Sequence, residues 1–187
     1  FLDNMNATPT FITFQIGFPI SERRWHNMGT SKSGRYINTK GSGTSVSDFA
    51  LIHSSEGKYT KPTRKNDKLR LVSGGHGQAG LNQLDKYDIK YNIVKTYPNG
   101  VRVGNIPNHK TKAKTHDTGQ SWFPKSWTTK DIRRAGEHVA GLKANRHAPN
   151  GKKLYGFYKG VRVIVIKTNG KIGTVFPDNI QPTRRGK

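Results

Sequence analysis

Glycine and proline interrupt this sequence so often that the chain cannot form long helices. The 187 residues include 21 glycines and nine prolines, and the hydrophobic residues between them occur in short runs. Because both residue types favour turns, this spacing predicts short strands joined by tight turns. Hydrophobic residues make up 32% of the chain and the mean hydropathy is −0.79, so we expect a thin core. The length suits one large domain or two small subdomains that share a core.

Hydrophobic periodicity predicts a compact α+β region after residue 68. Strands are predicted at 69–72, 89–95, 101–106, 154–158, 161–168 and 172–176, with helices at 77–87 and about 128–142. Gly-Val-Arg-Val occurs at 100–103 and again at 160–163, each time inside a predicted hairpin. We therefore expect two small halves, each an antiparallel sheet with a helix, that form a basic groove between them.

The first third of the sequence has a different character. Residues 1–20 are apolar and alternating, residues 29–47 are rich in Gly, Ser and Thr, and residues 54–68 are polar and charged. These patterns predict a strand or tail followed by loops, so we expect a variable leader or subdomain at 1–67 and the compact domain at 68–187. The chain begins at Phe1 without a signal-peptide pattern, and we expect it to be part of a longer protein.

The charge of the chain points to an anionic partner. Lys and Arg number 33 against 11 Asp and Glu, which gives a net charge of +22. Residues 89–187 hold 21 of the basic residues and 4 of the acidic ones, a net +17. Such a balance favours nucleic acid as the partner. No apolar stretch approaches the ~20 residues that span a bilayer, so we expect no membrane anchor. Without cysteine, the chain can have neither a disulfide nor a thiolate metal site.

Acidic residues are too scarce in the second half for a two-metal nuclease. They are Asp117, Asp131, Glu137 and Asp178. Because Mg²⁺ needs several clustered carboxylates, we expect no metal ion and no cofactor. RNA offers another route, since its own 2′-OH can attack the adjacent phosphorus. That reaction needs a base, an acid and a cation, roles that suit histidine and lysine.

Two of the seven histidines stand in distinctive contexts. His76 lies between Gly74-Gly75 and Gly77. We expect these glycines to expose its ring and to let a phosphate approach the backbone, with the next helix N-terminus adding N–H groups. His109 opens the basic string HKTKAKTH. A solvated loop is the alternative interpretation of that string.

Several motifs in this order resemble the bacterial EndoU nucleases, which are C-terminal domains of contact-dependent and other secreted polymorphic toxins. The motifs are SGGHGQAGL (73–81), YPNGVRVGNIPNHK (97–110), GQSWFPKSWTTKDI (119–132) and GVRV with TNGKIGTVFPD (160–178). The resemblance covers roughly residues 68–182. It implies cleavage of RNA without metal by a His-His-Lys triad, leaving a 2′,3′-cyclic phosphate.

The resemblance assigns His76 as the first catalytic residue. For the second histidine it leaves His109 and His53 open, and we select His109. The cation can come from any of Lys110, Lys112, Lys114 and Lys125; we select Lys125 as catalytic and assign the other three to substrate binding. Gln120 is also predicted to bind substrate. A late motif of the family contacts the nucleotide, and Thr174 and Phe176 occupy it here, where Phe176 can stack on a base.

The resulting hypothesis is a metal-independent endoribonuclease toxin used in interbacterial competition, with tRNA a plausible substrate. The resemblance implies delivery from the cell surface or by secretion, action in the target-cell cytoplasm, and a cognate immunity protein. Given the charge of the chain, we expect that partner to be acidic. We also expect the nuclease to be monomeric. The alternatives are a basic nucleic-acid-binding module without catalysis and a metal-dependent DNase.

Overall fold

The computed structural model describes residues 45–62 and 68–183, and the fold is given for these residues alone. The strand predicted within residues 1–20 and most of the linker predicted at 29–47 lie outside the described residues. Within the described residues, no helix combines the length and the apolar character needed to cross a membrane.

The described residues form three α-helices and three small antiparallel sheets. The helices are α1 (Asp48–Ser55), α2 (Gln78–Lys86) and α3 (Thr129–Gly141). The strands are β1 (Lys58–Tyr59), β2 (Leu71–Ser73), β3 (Asn92–Thr96), β4 (Arg102–Asn105), β5 (Gln120–Trp122), β6 (Lys153–Tyr158), β7 (Val161–Thr168) and β8 (Lys171–Pro177). The sheets have the orders β1-β2, β3-β4-β5 and β6-β7-β8. The predicted α+β class is confirmed.

The C-terminal sheet follows the sequence pattern closely. The β7–β8 turn contains Asn169 and Gly170, both with positive φ (52° and 71°), as a tight hairpin turn requires. Helix α3 covers one face of this sheet: a Cβ on Gly136 would lie 2.5 Å from Val175 Cγ2, and one on Gly156 would lie 2.8 Å from Leu142 Cδ1. Helix and sheet are therefore packed too closely at these two points for any larger residue.

The start of α3 is fixed by a capping box. The Thr128 side chain accepts a hydrogen bond from the Asp131 N–H, and the Asp131 carboxylate accepts one from the Thr128 N–H. Two helix-terminal donors are thereby satisfied, and α3 begins close to where the hydrophobic periodicity predicted a helix.

The β3-β4-β5 sheet and α2 share the other main core. Its buried residues are Leu71, Leu81, Leu84, Ile89, Ile106 and Trp122. Strand β5 was not predicted, because all three of its residues are buried and the pattern lacks the alternation of a half-exposed strand.

Helix α1 was not predicted either, since part of it falls in a segment that we interpreted as a loop. It lies before residue 68 and packs against β8. The Val175 N–H donates to Ser54 Oγ at 2.9 Å, and Val46 forms a parallel bridge with Ile172. These contacts, made 121 residues apart in the case of Ser54 and Val175, attach the segment before residue 68 to the C-terminal sheet.

Candidate active site

The Gly-Gly-His loop is anchored on the C-terminal end of α1. The N–H groups of Gly75, His76 and Gly77 donate to the carbonyls of His53, Ser54 and Ser55 at 3.1, 2.7 and 3.0 Å. These are carbonyls that a helix end leaves without intrahelical partners. The N–H groups of the loop therefore satisfy the free carbonyl groups at the end of α1, and α1 in turn holds the loop in position.

The loop needs glycine because its backbone passes very close to α1, and not because the His76 ring must be exposed. Gly74 and Gly75 have φ of +74° and +71°, and a Cβ on Gly74 would lie 1.9 Å from the His53 carbonyl oxygen. The expectation that the loop exposes the ring of His76 is wrong, because this residue is only 4% exposed. The expected phosphate contact with the loop backbone is also wrong at residues 75–77, because their N–H groups already bind α1.

His76 is held through its ring and its backbone. Its Nδ1 lies 2.7 Å from the carbonyl oxygen of Ser121, and its own carbonyl accepts from the Phe123 N–H at 2.7 Å. Phe176 stacks on the ring with centroids 5.2 Å apart. A carbonyl can only accept, so Nδ1 carries a proton and Nε2 is left as the proton acceptor of the neutral ring. Burial, and next the charge of Lys114, lower the pKa of His76 well below its ordinary value.

His109 has the opposite arrangement of ring nitrogens. The Thr111 N–H donates to its Nδ1 at 2.8 Å, so the neutral ring carries its proton on Nε2. That Nε2 is buried and has no hydrogen-bond partner among the described residues. Burial, then the charges of Lys114 and Arg70, lower the pKa of His109 to about 4. His109 thus presents an unused N–H donor.

Arg70 holds the loop that carries His109. Its Nε and Nη2 donate to the carbonyls of Asn108 and His109 at 3.1 and 3.0 Å. The Lys110 N–H then donates to the carbonyl of Leu71 in β2. The two histidines are therefore fixed relative to each other through the strand that leads into the Gly-Gly-His loop.

Lys114 is the cation whose charge most strongly lowers the pKa of the histidines. It lies at the end of a short 3-10 helix (Lys112–Lys114) and is half-buried. Its charge is among the causes that lower the pKa of His53, His76 and His109. Burial lowers the pKa of Lys114 itself to about 8. Lys114 therefore lies within electrostatic reach of His53, His76 and His109.

The remaining predicted site residues occupy different environments. Lys110, Lys112 and Lys125 are exposed. Gln120 is fully buried, and its amide donates to the carbonyl of Gly74 at 3.1 Å, so it supports the Gly-Gly-His loop. Thr174 and Phe176 are half-exposed, and alternate residues of a strand share a face, so both lie on one face of β8.

Sequence reasoning missed two features of this site. The first is the role of α1, whose C-terminal carbonyls hold the histidine loop. The second is the difference between the lysines of the basic string, which the even spacing Lys110, Lys112 and Lys114 does not reveal. Among the described residues, no group of three or more His, Asp or Glu side chains is arranged to hold a metal ion.

The arrangement combines a proton acceptor, a proton donor and a cation. These groups suit acid–base chemistry on an anionic substrate. A family model described as bacterial EndoU nuclease matches residues 48–179, more than half of the chain. Comparisons with curated proteins and with solved structures gave no match.

Proposed function

Because the chain belongs to the bacterial EndoU nuclease family, we propose that it is an endoribonuclease that cleaves RNA by 2′-OH attack without a metal ion. The observation that carries this proposal is the complementary protonation of the two histidines. The neutral ring of His76 offers a lone pair at Nε2, whereas that of His109 offers an N–H at Nε2. Cleavage of a phosphodiester needs a proton acceptor at the attacking 2′-oxygen and a proton donor at the leaving 5′-oxygen, and these two oxygens lie on opposite sides of the phosphorus.

In the proposed reaction His76 is the base. Its Nε2 takes the proton of the 2′-OH while the 2′-oxygen forms a bond to phosphorus. The bond from phosphorus to the 5′-oxygen breaks, and the imidazolium form of His109 supplies the proton to that oxygen from Nε2. The negative charge of a bound phosphodiester raises the pKa of His109 from its low value in the empty site and so favours the imidazolium. This acid form carries its second proton on Nδ1, where it replaces the hydrogen bond from the Thr111 N–H. The products are a 2′,3′-cyclic phosphate and a 5′-hydroxyl.

Lys114 is our preferred cation for the phosphorane. Its charge acts on both histidines, whereas Lys125 is exposed and follows the buried Phe123-Pro124 segment. The half-burial of Lys114 also strengthens its field, because less water screens it. The assignment of Lys125 as the catalytic lysine stays a prediction that substitution of either residue can test.

The proposed substrate contacts lie around this triad. Phe176 and Thr174 share the face of β8 that meets His76, and the free side of the Phe176 ring can stack on a base. Lys110 and Lys112 are exposed and suit phosphate contacts in a basic groove. For Gln120 only its buried Oε1 lacks a partner, so any substrate contact must be made there.

The proposed biological role is that of a toxin in interbacterial competition, delivered from a larger secreted or cell-surface protein. It would act as a monomer in the target-cell cytoplasm, with tRNA as a plausible substrate. A cognate immunity protein that is acidic would suit the net charge of +22. The alternative is a binding module without catalysis, for which the complementary histidines have no role.

The decisive experiment is incubation of the purified protein with total RNA in EDTA, followed by analysis of the fragment ends. We expect cyclic-phosphate ends, and we expect His76→Ala to lower the cleavage rate by about 10²- to 10⁴-fold with RNA affinity retained. His147→Ala, which removes an exposed histidine, is the matched control and should cleave normally. RNA that stays intact while bound would favour the binding module, and activity lost in EDTA would count against the metal-free mechanism.

A further inference from the structure

Helix α3 covers only one of the two faces of the C-terminal sheet. Residues that point toward α3, such as Gly156 and Val175, alternate along their strands with residues that point away from it. On β6 the residues that point away include Tyr155 and Phe157, which are 44% and 54% exposed. Phe176 of β8 points to this same face. We call it the open face, made by Tyr155, Phe157, Arg162, Ile164 and Phe176.

The strand register joins the candidate active site to these exposed rings. Ile164 pairs with Phe176 on one side and with Tyr155 on the other, so the three side chains form one row across the sheet. Phe176 stacks on His76 at one end of this row. Ile164, in the middle, is almost fully covered. Two strand spacings of about 4.8 Å put Tyr155 roughly 10 Å from Phe176, within reach of a neighbouring nucleotide.

Cations border the rings on the open face. The guanidinium of Arg162 lies 4.9 Å from the centre of the Tyr155 ring. Lys153, two residues before Tyr155, is exposed on the same side of β6. A neighbouring acid, Asp178, pairs through its carboxylate with Arg162 at 3.3 Å. Exposed aromatic rings beside Arg and Lys are the combination that proteins use to hold unpaired nucleotides.

We propose that the open face is a binding site for single-stranded RNA next to the cleaved bond, with one base stacked on Tyr155 and another on Phe157. This inference rests on the proposed endoribonuclease function. Stacking is tolerant of sequence because every base has a flat face, so the site contributes affinity for unpaired RNA and not selection of a base. Duplex RNA is excluded from such contacts, because its bases are stacked on one another.

The test compares a double variant, Tyr155→Ala with Phe157→Ala, with the unaltered protein. One probe is an uncleavable 2′-O-methyl RNA single strand about 12 nucleotides long, followed by fluorescence anisotropy. The other is the cleavage of a dinucleotide, which is too short to reach both the site and the open face. We expect the double variant to bind the long strand at least about fivefold more weakly and to cleave the dinucleotide with unchanged kcat/KM.

Two further variants sharpen the comparison. Tyr155→Phe with Phe157→Tyr keeps both rings and should bind the long strand normally. Phe49→Ala removes an aromatic ring that is 81% exposed on α1 and serves as the control for loss of surface area. The inference is overturned if the double variant binds like Phe49→Ala, or if it loses as much activity on the dinucleotide as on the long RNA. If the unaltered protein binds the long strand but cuts no RNA, the proposed function fails while the anisotropy still decides on the open face.

Discussion

Replacing Gly74 by alanine should remove both stability and activity, and Gly160 provides a matched control. The two glycines have the same φ of +74°, which costs an L-residue about 1–2 kcal/mol. They differ in surroundings. A Cβ on Gly160 meets nothing within 4 Å, whereas one on Gly74 would lie 1.9 Å from the His53 carbonyl oxygen. Only Gly74→Ala must therefore push the histidine loop away from α1.

The expected size of the difference follows from what that displacement breaks. Overpacking costs about 1–3 kcal/mol, and loss of the hydrogen bond from Gly75 N–H to the His53 carbonyl costs about 0.5–1.5 kcal/mol. Gly74→Ala should therefore cost about 3–6 kcal/mol in total, against about 1–2 kcal/mol for Gly160→Ala. Because whole domains are stable by about 5–15 kcal/mol, this cost is a large part of the total stability.

Urea denaturation of both full-length variants measures these costs, and RNA cleavage per folded molecule measures the effect on the site. We expect Gly160→Ala to cleave normally and Gly74→Ala to cleave at least about tenfold more slowly even where it is folded, since His76 shifts with its loop. Equal destabilisation of the two variants would refute the close approach of the loop to α1 as the reason for the glycine.

Three other predictions concern charged groups. Lys167 is 3% exposed and donates to two backbone carbonyls, so Lys167→Met should lower the free energy of unfolding by about 1–3 kcal/mol in urea titrations while leaving cleavage per folded molecule unchanged. Hydrogen bonds from Lys159 and Thr128 lower the pKa of Asp131 to about 2; its contribution to stability is therefore complete above the unfolded pKa near 3.9 and is lost as the pH falls through about 2. Asp131→Asn should flatten the fall in Tm between pH 5 and pH 2, and an unchanged pH profile would contradict this. The pKa of Lys114 is lowered to about 8, so kcat/KM on RNA should fall as the pH rises above about 8; Lys114→Arg should move that fall to higher pH, and an identical fall in the variant would exclude Lys114 as its cause.

The sequence predicted those parts of the fold that depend on neighbouring residues. Helix α3, which is capped by Thr128 and Asp131, and the β7–β8 hairpin, which turns at Asn169-Gly170, each depend on residues close together in the chain, so the patterns that predicted the helix and the two strands are visible without the rest of the chain. Helix α1 is different. Its stability comes from β8 and from the three N–H groups of the histidine loop, which lie more than twenty residues away in the chain. Local patterns carry no signal for such contacts.

In the candidate site, too, some features could be predicted from neighbouring residues and others depend on the tertiary structure. His76 and His109 were predicted because glycines and a basic string mark them in the sequence. The sequence-based choice of lysine was Lys125. Nothing in the sequence distinguishes Lys114 from Lys110 and Lys112, which alternate evenly with it, and only the tertiary structure makes Lys114 half-buried. The protonation of each ring was equally hidden, since the Ser121 carbonyl and the Thr111 N–H fix it from backbone positions that any side chain could occupy.

The anchoring of His76 has a consequence for when the protein becomes active. Its ring and backbone are held by α1, by β5 and by Phe176 of β8, segments spread across most of the described sequence. A partly folded chain therefore has the histidine but not its position. Contacts between residues so distant in sequence close long loops, so the position of His76 depends on the assembly of the whole described fold. The proposed cleavage activity therefore requires the folded chain.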